Sequence, residues 1–284
     1  MNTGLRSVSD TALWVAMYRA METDRPDAIF KDPFARRLAG ARGEEILKAL
    51  PKAISFGWPM VVRTALMDEL VMRCVGEGVT SVVDLAVGLD ARAYRLELPP
   101  SLRWFDVDLP GIIDQRREEL RDASPRCRHE HIAADLSDPK AVSAVFEKTR
   151  SVPGPALVIA EGLLVYLTAE NVKSLARAIH DEAGAQLWLI DLASPAVLKM
   201  MMRRYQSNLG AANAPMIFGP AEGTAFFTPF GWREREFRSI FHESLRLKRT
   251  IRFAPLWVFL GRLASKKTRE ARRRFSGVVL LERA

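Results

Sequence analysis

Three carboxylates and one glycine turn stand where short apolar runs of this chain end, and all are residue types that bind a small ligand. The first run closes with Asp84-Leu85-Ala86-Val87-Gly88-Leu89-Asp90-Ala91-Arg92, a turn in which Gly88 lets the backbone approach a ligand closely. Asp108 lies 20 residues beyond Gly88 in Phe105-Asp106-Val107-Asp108-Leu109-Pro110. A carboxylate at that spacing accepts hydrogen bonds from both hydroxyls of a bound ribose. Asp106 competes for the role, but residues two apart on a strand share a face and the later one is nearer the crevice. The alternative for Asp108 is a cap on a helix opening at Pro110. In Ala134-Asp135-Leu136-Ser137-Asp138, a carboxylate followed by an apolar residue suits an adenine, Asp135 taking the amino group and Leu136 packing on the ring, while Asp138 before Pro139 reads as a helix cap. Glu161, in ALVIAEGLLVYLT, ends a run so apolar that its charge is costly without a partner, which makes a sulfonium or amino group a fitting neighbour.

To bring these residues together, the apolar runs must be parallel strands of one sheet. The runs are SVVDLA (81–86), RWFDV (103–107), HEHIA (129–133), ALVIA (156–160) and AQLWLIDL (185–192), separated by helical stretches. That alternation predicts βαβ units, right-handed crossovers and a doubly wound sheet whose strand tips share one ligand-binding edge. Ahead of them, residues 1–78 read as a helical cap belonging to the same domain as residues 79–284. Leu13, Ala16, Met17 and Ala20 recur at helical spacing behind Asp10 as an N-cap, and a second helix opens near Pro59, passes through Val62, Leu66 and Leu70, and stops at Gly76 and Gly78. After Leu192 the segment SPAVLKMMMRRYQSNLGAANAPMIFGPAEG contains Pro195, Pro215 and Pro220 and reads as a lid insertion over about 193–226 rather than a crossover helix. Within it, Tyr205 with Arg203 and Arg204 could meet an anionic acceptor or form a polar helix face. Met200, Met201 and Met202 suit an adaptable pocket or the core. The end of the chain reads as a helix and two strands, an antiparallel hairpin at the sheet edge. The expected fold is therefore α/β and Rossmann-like, of the class I methyltransferase kind, with a mostly parallel seven-stranded sheet.

Composition narrows the partners. With 48% hydrophobic and 27% charged residues and no repeat or low-complexity tract, the chain reads as an ordinary soluble, cytoplasmic protein without a membrane span. The net charge of +8 invites a nucleic-acid reading, but Arg262, Lys266, Lys267, Arg269, Arg272, Arg273 and Arg274 stand against Glu270 alone, so one segment carries +6 of it. A solvated helix face accounts for that segment, and no nucleic acid is expected. Cys74 and Cys127 are too few for a disulfide framework or thiolate site. Of the histidines, His129 and His131 read as structural on a strand and His180 and His242 fall in helices, so no metal is expected.

The turn after the first strand lacks the full G-x-G-x-x-G of a pyrophosphate cradle, which disfavours a dinucleotide and leaves S-adenosyl-L-methionine, a nucleoside without phosphate, as the expected cofactor. The runs VVRTALMDEL, VVDLAVGLDARAYRL, FDVDLP, AADL and AEGLLVYL, in that order, resemble the leucine carboxyl methyltransferase family, whose bacterial branch includes polyketide carboxyl methyltransferases. The resemblance covers most of the chain to about Leu192. It implies that Arg63 holds the methionine carboxylate, Gly88 lines the amino-acid end, Asp108 takes the ribose, Asp135 and Leu136 the adenine, and Glu161 the methionine amino group. Where family members usually show G-A-G-L-D-T-R, this chain has Ala86-Val87-Gly88-Leu89-Asp90-Ala91-Arg92, so one glycine and one threonine are replaced. Asp90 and Arg92 read as an internal ion pair shaping the turn.

Methyl transfer from a sulfonium is an in-line displacement that chiefly requires alignment and exclusion of water. A carboxylate acceptor needs no general base, and none is obvious here. A hydroxyl acceptor would need one, and no catalytic residue is firmly assigned, Glu161 and Tyr205 being candidates. The leading expectation is an O-methyltransferase acting on a small-molecule carboxylate or hydroxyl. The alternatives are a protein C-terminal carboxyl methyltransferase and a non-catalytic module that keeps the fold.

Overall fold

The computed structural model describes residues 8–49, 57–211, 216–250 and 265–284, and of 8, 9, 204–211, 266, 267, 269 and 271 only the backbone. Among the described residues, α1 (Val8–Thr23), α2 (Ala35–Ala49) and α3 (Trp58–Gly76) precede the first strand. Pro59 sits in the first turn of α3, where a missing N–H leaves no bond unmade, and Gly78 at φ +103° ends the run. The sheet then forms from β1 (Ser81–Leu85), β2 (Arg103–Asp108), β3 (Arg128–Ala133), β4 (Ala156–Ala160), β5 (Leu187–Ala193), β6 (Trp232–Ser239) and β7 (Ser276–Arg283). Between them lie α4 (Arg92–Arg95), α5 (Pro110–Glu119), α6 (Pro139–Arg150), α7 (Ala169–Asp181), α8 (Pro195–Ala211), α9 (Ile240–Arg246) and α10 (Lys266–Arg273). Asp138 caps α6 by accepting the Lys140 N–H, and Thr168 caps α7 by accepting that of Asn171.

The strand order is β3-β2-β1-β4-β5-β7-β6, with β7 antiparallel to both neighbours and the first five strands parallel. Both faces are buried, which is why β4 is apolar throughout and β5 everywhere but Asp191. Val82, Trp104, Leu157 and Leu189 pack on one face against Leu66 and Leu70 of α3 and Ala16 and Met17 of α1. Val83, Phe105, Val158 and Trp188 pack on the other against Phe146 of α6 and Leu175 and Ile179 of α7. From β1 the chain moves outward to β2 and β3, then returns to lay β4 on the opposite side of β1. That reversal opens a crevice at the carboxyl ends of β1 and β4, where open α/β sheets bind ligands.

Three expectations change. Asp10 is not an N-cap, because α1 already opens at Val8; it lies in the first turn, where a carboxylate suits the helix dipole, and pairs with Arg42 at 3.0 Å. The segment after Leu192 is mostly the helix α8, its Pro195 in the tolerated first position rather than breaking the helix. Only 216–222 of its described remainder is irregular before a 3₁₀ stretch at Gly223–Phe230. The described residues of the C-terminal part include two short helices, α9 and α10, besides the two strands. In the basic segment, Arg274 is committed rather than solvated: it pairs with Glu234 of β6 and its guanidinium lies 4.5 Å from the Phe237 ring centroid. Lys266, Lys267 and Arg269 have side chains outside the described residues, and Arg262 lies outside them entirely. Among the described residues no helix is long and apolar enough to cross a membrane.

Candidate functional site

The crevice is built from its two lips. On the β1 lip the chain turns at Ala86 and Gly88, both left-handed at φ +52° and +56°. Gly88 takes that conformation without strain, whereas Ala86 carries a Cβ into it. The turn is tied to β2 because the Gly88 N–H donates to Asp108 Oδ2 at 2.7 Å, and the Leu109 N–H donates to Oδ1 at 2.7 Å. Asp108 therefore does not cap α5. Each of its oxygens keeps a free lone pair, and burial lifts its carboxyl above the ordinary value despite the two N–H bonds. Leu109 beside it is 45% exposed, an apolar side chain left open at the crevice.

The β4 lip carries Glu161, and here α3 reaches across. Arg63 Nε lies 2.9 Å from Glu161 Oε1, and Arg92 Nη1 of α4 lies 2.7 Å from Oε2. Neither N–H is aligned to hydrogen-bond, so Arg63 Nε, Arg92 Nη1 and Nη2 and Glu161 Oε2 are buried polar atoms without a hydrogen-bond partner. Burial opposes ionisation of Glu161, but Arg92 and then Arg63 outweigh it and hold the carboxyl below its usual value. Arg63 is also held from β5, where Asp191 Oδ2 accepts from Nη1 at 2.9 Å. Arg92 pairs further with Asp68 of α3 at 2.7 Å and with Asp90 at 3.1 Å, so the Asp90–Arg92 pair exists within a larger network. Arg95 adds a two-pronged bond to Asp68, and Arg19 of α1 reaches Asp32 at 2.9 Å. The helices before β1 thus help build the crevice. Asp84, buried at the end of β1, has its carboxyl raised well above the ordinary range by burial, with Asp90 adding to it.

The remaining candidates are dispersed. Asp135 is exposed after β3 and closes its own turn, accepting from the Ser137 N–H at 2.9 Å and hydroxyl at 2.7 Å; Leu136 packs against the α6–α7 side core. Asp106 is spent on internal bonds, and its partner Arg116 donates in turn to the carbonyl oxygens of Gly88 and Asp90 in the crevice turn. Its Oδ1 accepts from Trp104 Nε1 at 2.8 Å, and its Oδ2 meets His129 Nε2 at 2.7 Å and the Arg116 guanidinium. With His131, these groups bring three metal-ligating atoms within 4.8 Å of one another. Both Asp106 oxygens are already bonded and a guanidinium occupies the place of a cation, so the cluster fits a structural role. The Tyr205 and Arg204 side chains lie outside the described residues.

Sequence reasoning missed Asp191, Arg92 as a Glu161 partner, Asp68 and Tyr166. Only Asp191 offered a signal, as a lone acid within the apolar β5 run. Tyr166 lies in a cluster with Trp14, Tyr18, Met60 and Val61, and Met216 joins it from beyond α8. The Ile217 and Phe218 N–H groups bond to Val165 O at 2.8 and 3.1 Å, folding that segment onto the turn bearing Tyr166.

Comparison with known proteins places the sequence in a family and the fold among known structures. Residues 12–180 match the sequence model for leucine carboxyl methyltransferase. A candidate S-adenosyl-L-methionine-dependent methyltransferase of Streptomyces avermitilis is 35% identical over 189 residues, 62% of this chain and 65% of that one. Another, from Mycolicibacterium paratuberculosis, is 37% identical over 63% of this chain and 64% of that one. This chain thus spans somewhat under two thirds of the length of these relatives. A third, from Frankia alni, is 32% identical over 80% of this chain and 83% of its own. Among solved structures, a Streptomyces avermitilis protein superposes with a TM-score of 0.62 at 15% identity, covering 95% of this chain and 97% of that one. A candidate methyltransferase from Thermobifida fusca superposes at 0.59 with 17% identity, covering 98% and 95%. Both share the fold, an open seven-stranded α/β sheet.

Proposed function

This chain belongs to the leucine carboxyl methyltransferase family, and on that premise we propose that it binds S-adenosyl-L-methionine in the β1–β4 crevice and methylates an oxygen of a small-molecule acceptor. The observation that carries the reading is the convergence of two half-sites at the sheet's reversal point: Asp108 with a free lone pair on each oxygen, and Glu161 buried beside two guanidiniums without one aligned hydrogen bond. The donor set fits the cofactor. A ribose diol matches the free acceptors of Asp108, and a zwitterionic amino-acid end matches an unsatisfied carboxylate beside Arg63. Glu161 and Arg63 would hold the amino and carboxylate groups, Asp108 the ribose, and Asp135 and Leu136 the adenine.

When bound, S-adenosyl-L-methionine supplies an electrophilic methyl on a sulfonium. The chain's part is alignment and exclusion of water. Arg63, held by one acid just after β4 and one on β5, would set where the amino-acid end lies; Tyr166, in the turn after Glu161, packs in an apolar cluster with Trp14, Met60 and Met216. A carboxylate acceptor is already ionised at neutral pH and needs no proton removed; a hydroxyl acceptor must lose one to a base. Calorimetric titration with S-adenosyl-L-methionine tests the reading. Binding is expected, weakened at least about tenfold in Asp108→Ala through loss of two bonds to a charged acceptor, and binding that ignores this change would sink the proposal. A methyl-transfer screen of carboxylic and phenolic metabolites against peptides tests the acceptor class, and turnover confined to peptides would favour a protein substrate instead.

A further inference from the structure

Asp191, near the carboxyl end of the fifth strand, has entered so far only as a second partner of Arg63, and it does more than that. Its two oxygens do different work. Oδ1 accepts the Gly162 N–H at 2.6 Å, and Oδ2 accepts from Arg63 Nη1 at 2.9 Å. One side chain on β5 therefore fixes both the backbone that follows Glu161 and the guanidinium that faces Glu161. Gly162 holds a left-handed φ of +67°, and a Cβ there would stand 3.4 Å from Arg63 Nη1, so the turn and the guanidinium are fitted to each other. Among the forces on Arg63, burial disfavours its charge, and Asp191 then contributes more than Glu161 to restoring it. With Nε on Glu161 and Nη1 on Asp191, Nη2 is the nitrogen that no carboxylate claims among the described residues.

We infer that Asp191 is a positioning residue for the amino-acid end of the cofactor, locking Arg63 and the Glu161–Gly162 turn in one arrangement so that a single face of the guanidinium is offered to a ligand carboxylate. The inference rests on the cofactor reading above. A largely buried arginine shared by two acids cannot swing to pair fully with Glu161, and this keeps Glu161 available to an ammonium group. Removing Asp191 frees Arg63 to close on Glu161, and each then satisfies the other instead of a ligand.

The test uses the whole protein, S-adenosylhomocysteine and 5′-methylthioadenosine, the second of which lacks the amino and carboxylate groups. In calorimetric titrations, Asp191→Asn keeps an acceptor for Gly162 but loses the charge facing Arg63. S-adenosylhomocysteine is expected to bind about tenfold more weakly to it, with methylthioadenosine affinity unchanged. Asp191→Glu, which retains the charge on a longer arm, is expected to show the same selectivity with a smaller loss, and it serves if the asparagine variant does not fold. In methyl transfer the loss falls on the KM for S-adenosyl-L-methionine more than on kcat. Equal weakening of both ligands would mean a general structural role, and unchanged S-adenosylhomocysteine binding would mean none; either overturns the inference while leaving the cofactor reading intact. If the wild-type protein binds neither ligand, both fall together.

Discussion

Two carboxylates, the buried Asp106 on β2 and the largely buried Glu161 just after β4, stand within reach of arginines, and they differ in what their oxygens receive. Asp106 accepts aligned bonds from Trp104, His129 and Arg116, and the latter two overcome the burial that would otherwise raise its carboxyl, holding it far below the ordinary value. Glu161 has two guanidiniums at 2.9 and 2.7 Å, yet neither donates along a hydrogen-bonding line. Buried polar groups in stable proteins are bonded, so a buried charge left underbonded marks a place where something else completes the set. The first cluster holds the edge strand β3 to its neighbour and, through Arg116, the turn at Gly88 and Asp90; the second, on the function proposed above, is completed by a ligand.

Exchanging the two roles by mutation is the most severe test. Arg116→Ala strands a buried carboxylate and is expected to cost about 3–5 kcal/mol of stability, measured by urea unfolding. Glu161→Gln leaves Arg63 with Asp191 and Arg92 with Asp68 and Asp90, so the fold is expected to lose about 1 kcal/mol while cofactor affinity collapses. If Glu161→Gln unfolds the protein and Arg116→Ala does not, the comparison is inverted. Acid should sharpen it next. Burial, with His129 adding to it, pushes the His131 imidazole down to about 4 from an ordinary 6.5. The unfolded chain then binds a proton that the folded one refuses between those values, so this residue subtracts stability as pH falls from 6.5 to 4 and has no effect above 6.5. His131→Gln is expected to lose about 2–3 kcal/mol less than the parent over that window; equal losses would place the titration elsewhere. The smallest effect belongs to the crevice lip. Ala86→Gly removes a Cβ from a left-handed position and is expected to stabilise by about 1 kcal/mol despite the flexibility that glycine adds to the unfolded chain, a rise in melting temperature being the readout.

The strands were legible because two-sided burial writes itself as apolar runs: ALVIA is β4 residue for residue, and SVVDLA and RWFDV miss β1 and β2 by one residue each. Helix ends were legible where capping chemistry is local, as at Asp138 and Pro59. They were misread where one residue type has two uses. Pro195 punctuates a loop or opens a helix with equal ease, and an acid near a helix start serves as cap or first-turn charge, as Asp10 shows. At the site, Asp108 and Gly88 could be paired from a spacing of 20 residues because one short helix and one strand connect them. Arg63 and Asp191 are 128 residues apart, and no local pattern links a helix ahead of the sheet to the tip of its fifth strand.

The amino-acid sequence by itself settled which residues end strands, and hence that Gly88, Asp108, Asp135 and Glu161 share the carboxyl edge of one sheet, since strand direction and period are local properties of the chain. It also fixed the replacement of glycine by alanine at position 86. Only the tertiary structure decided what each charge faces: Asp106 consumed by Arg116, Arg63 divided between Glu161 and Asp191, and Ala86 held left-handed. Those outcomes depend on distances between segments far apart in the chain, and electrostatic energy follows distance and burial rather than order along the sequence.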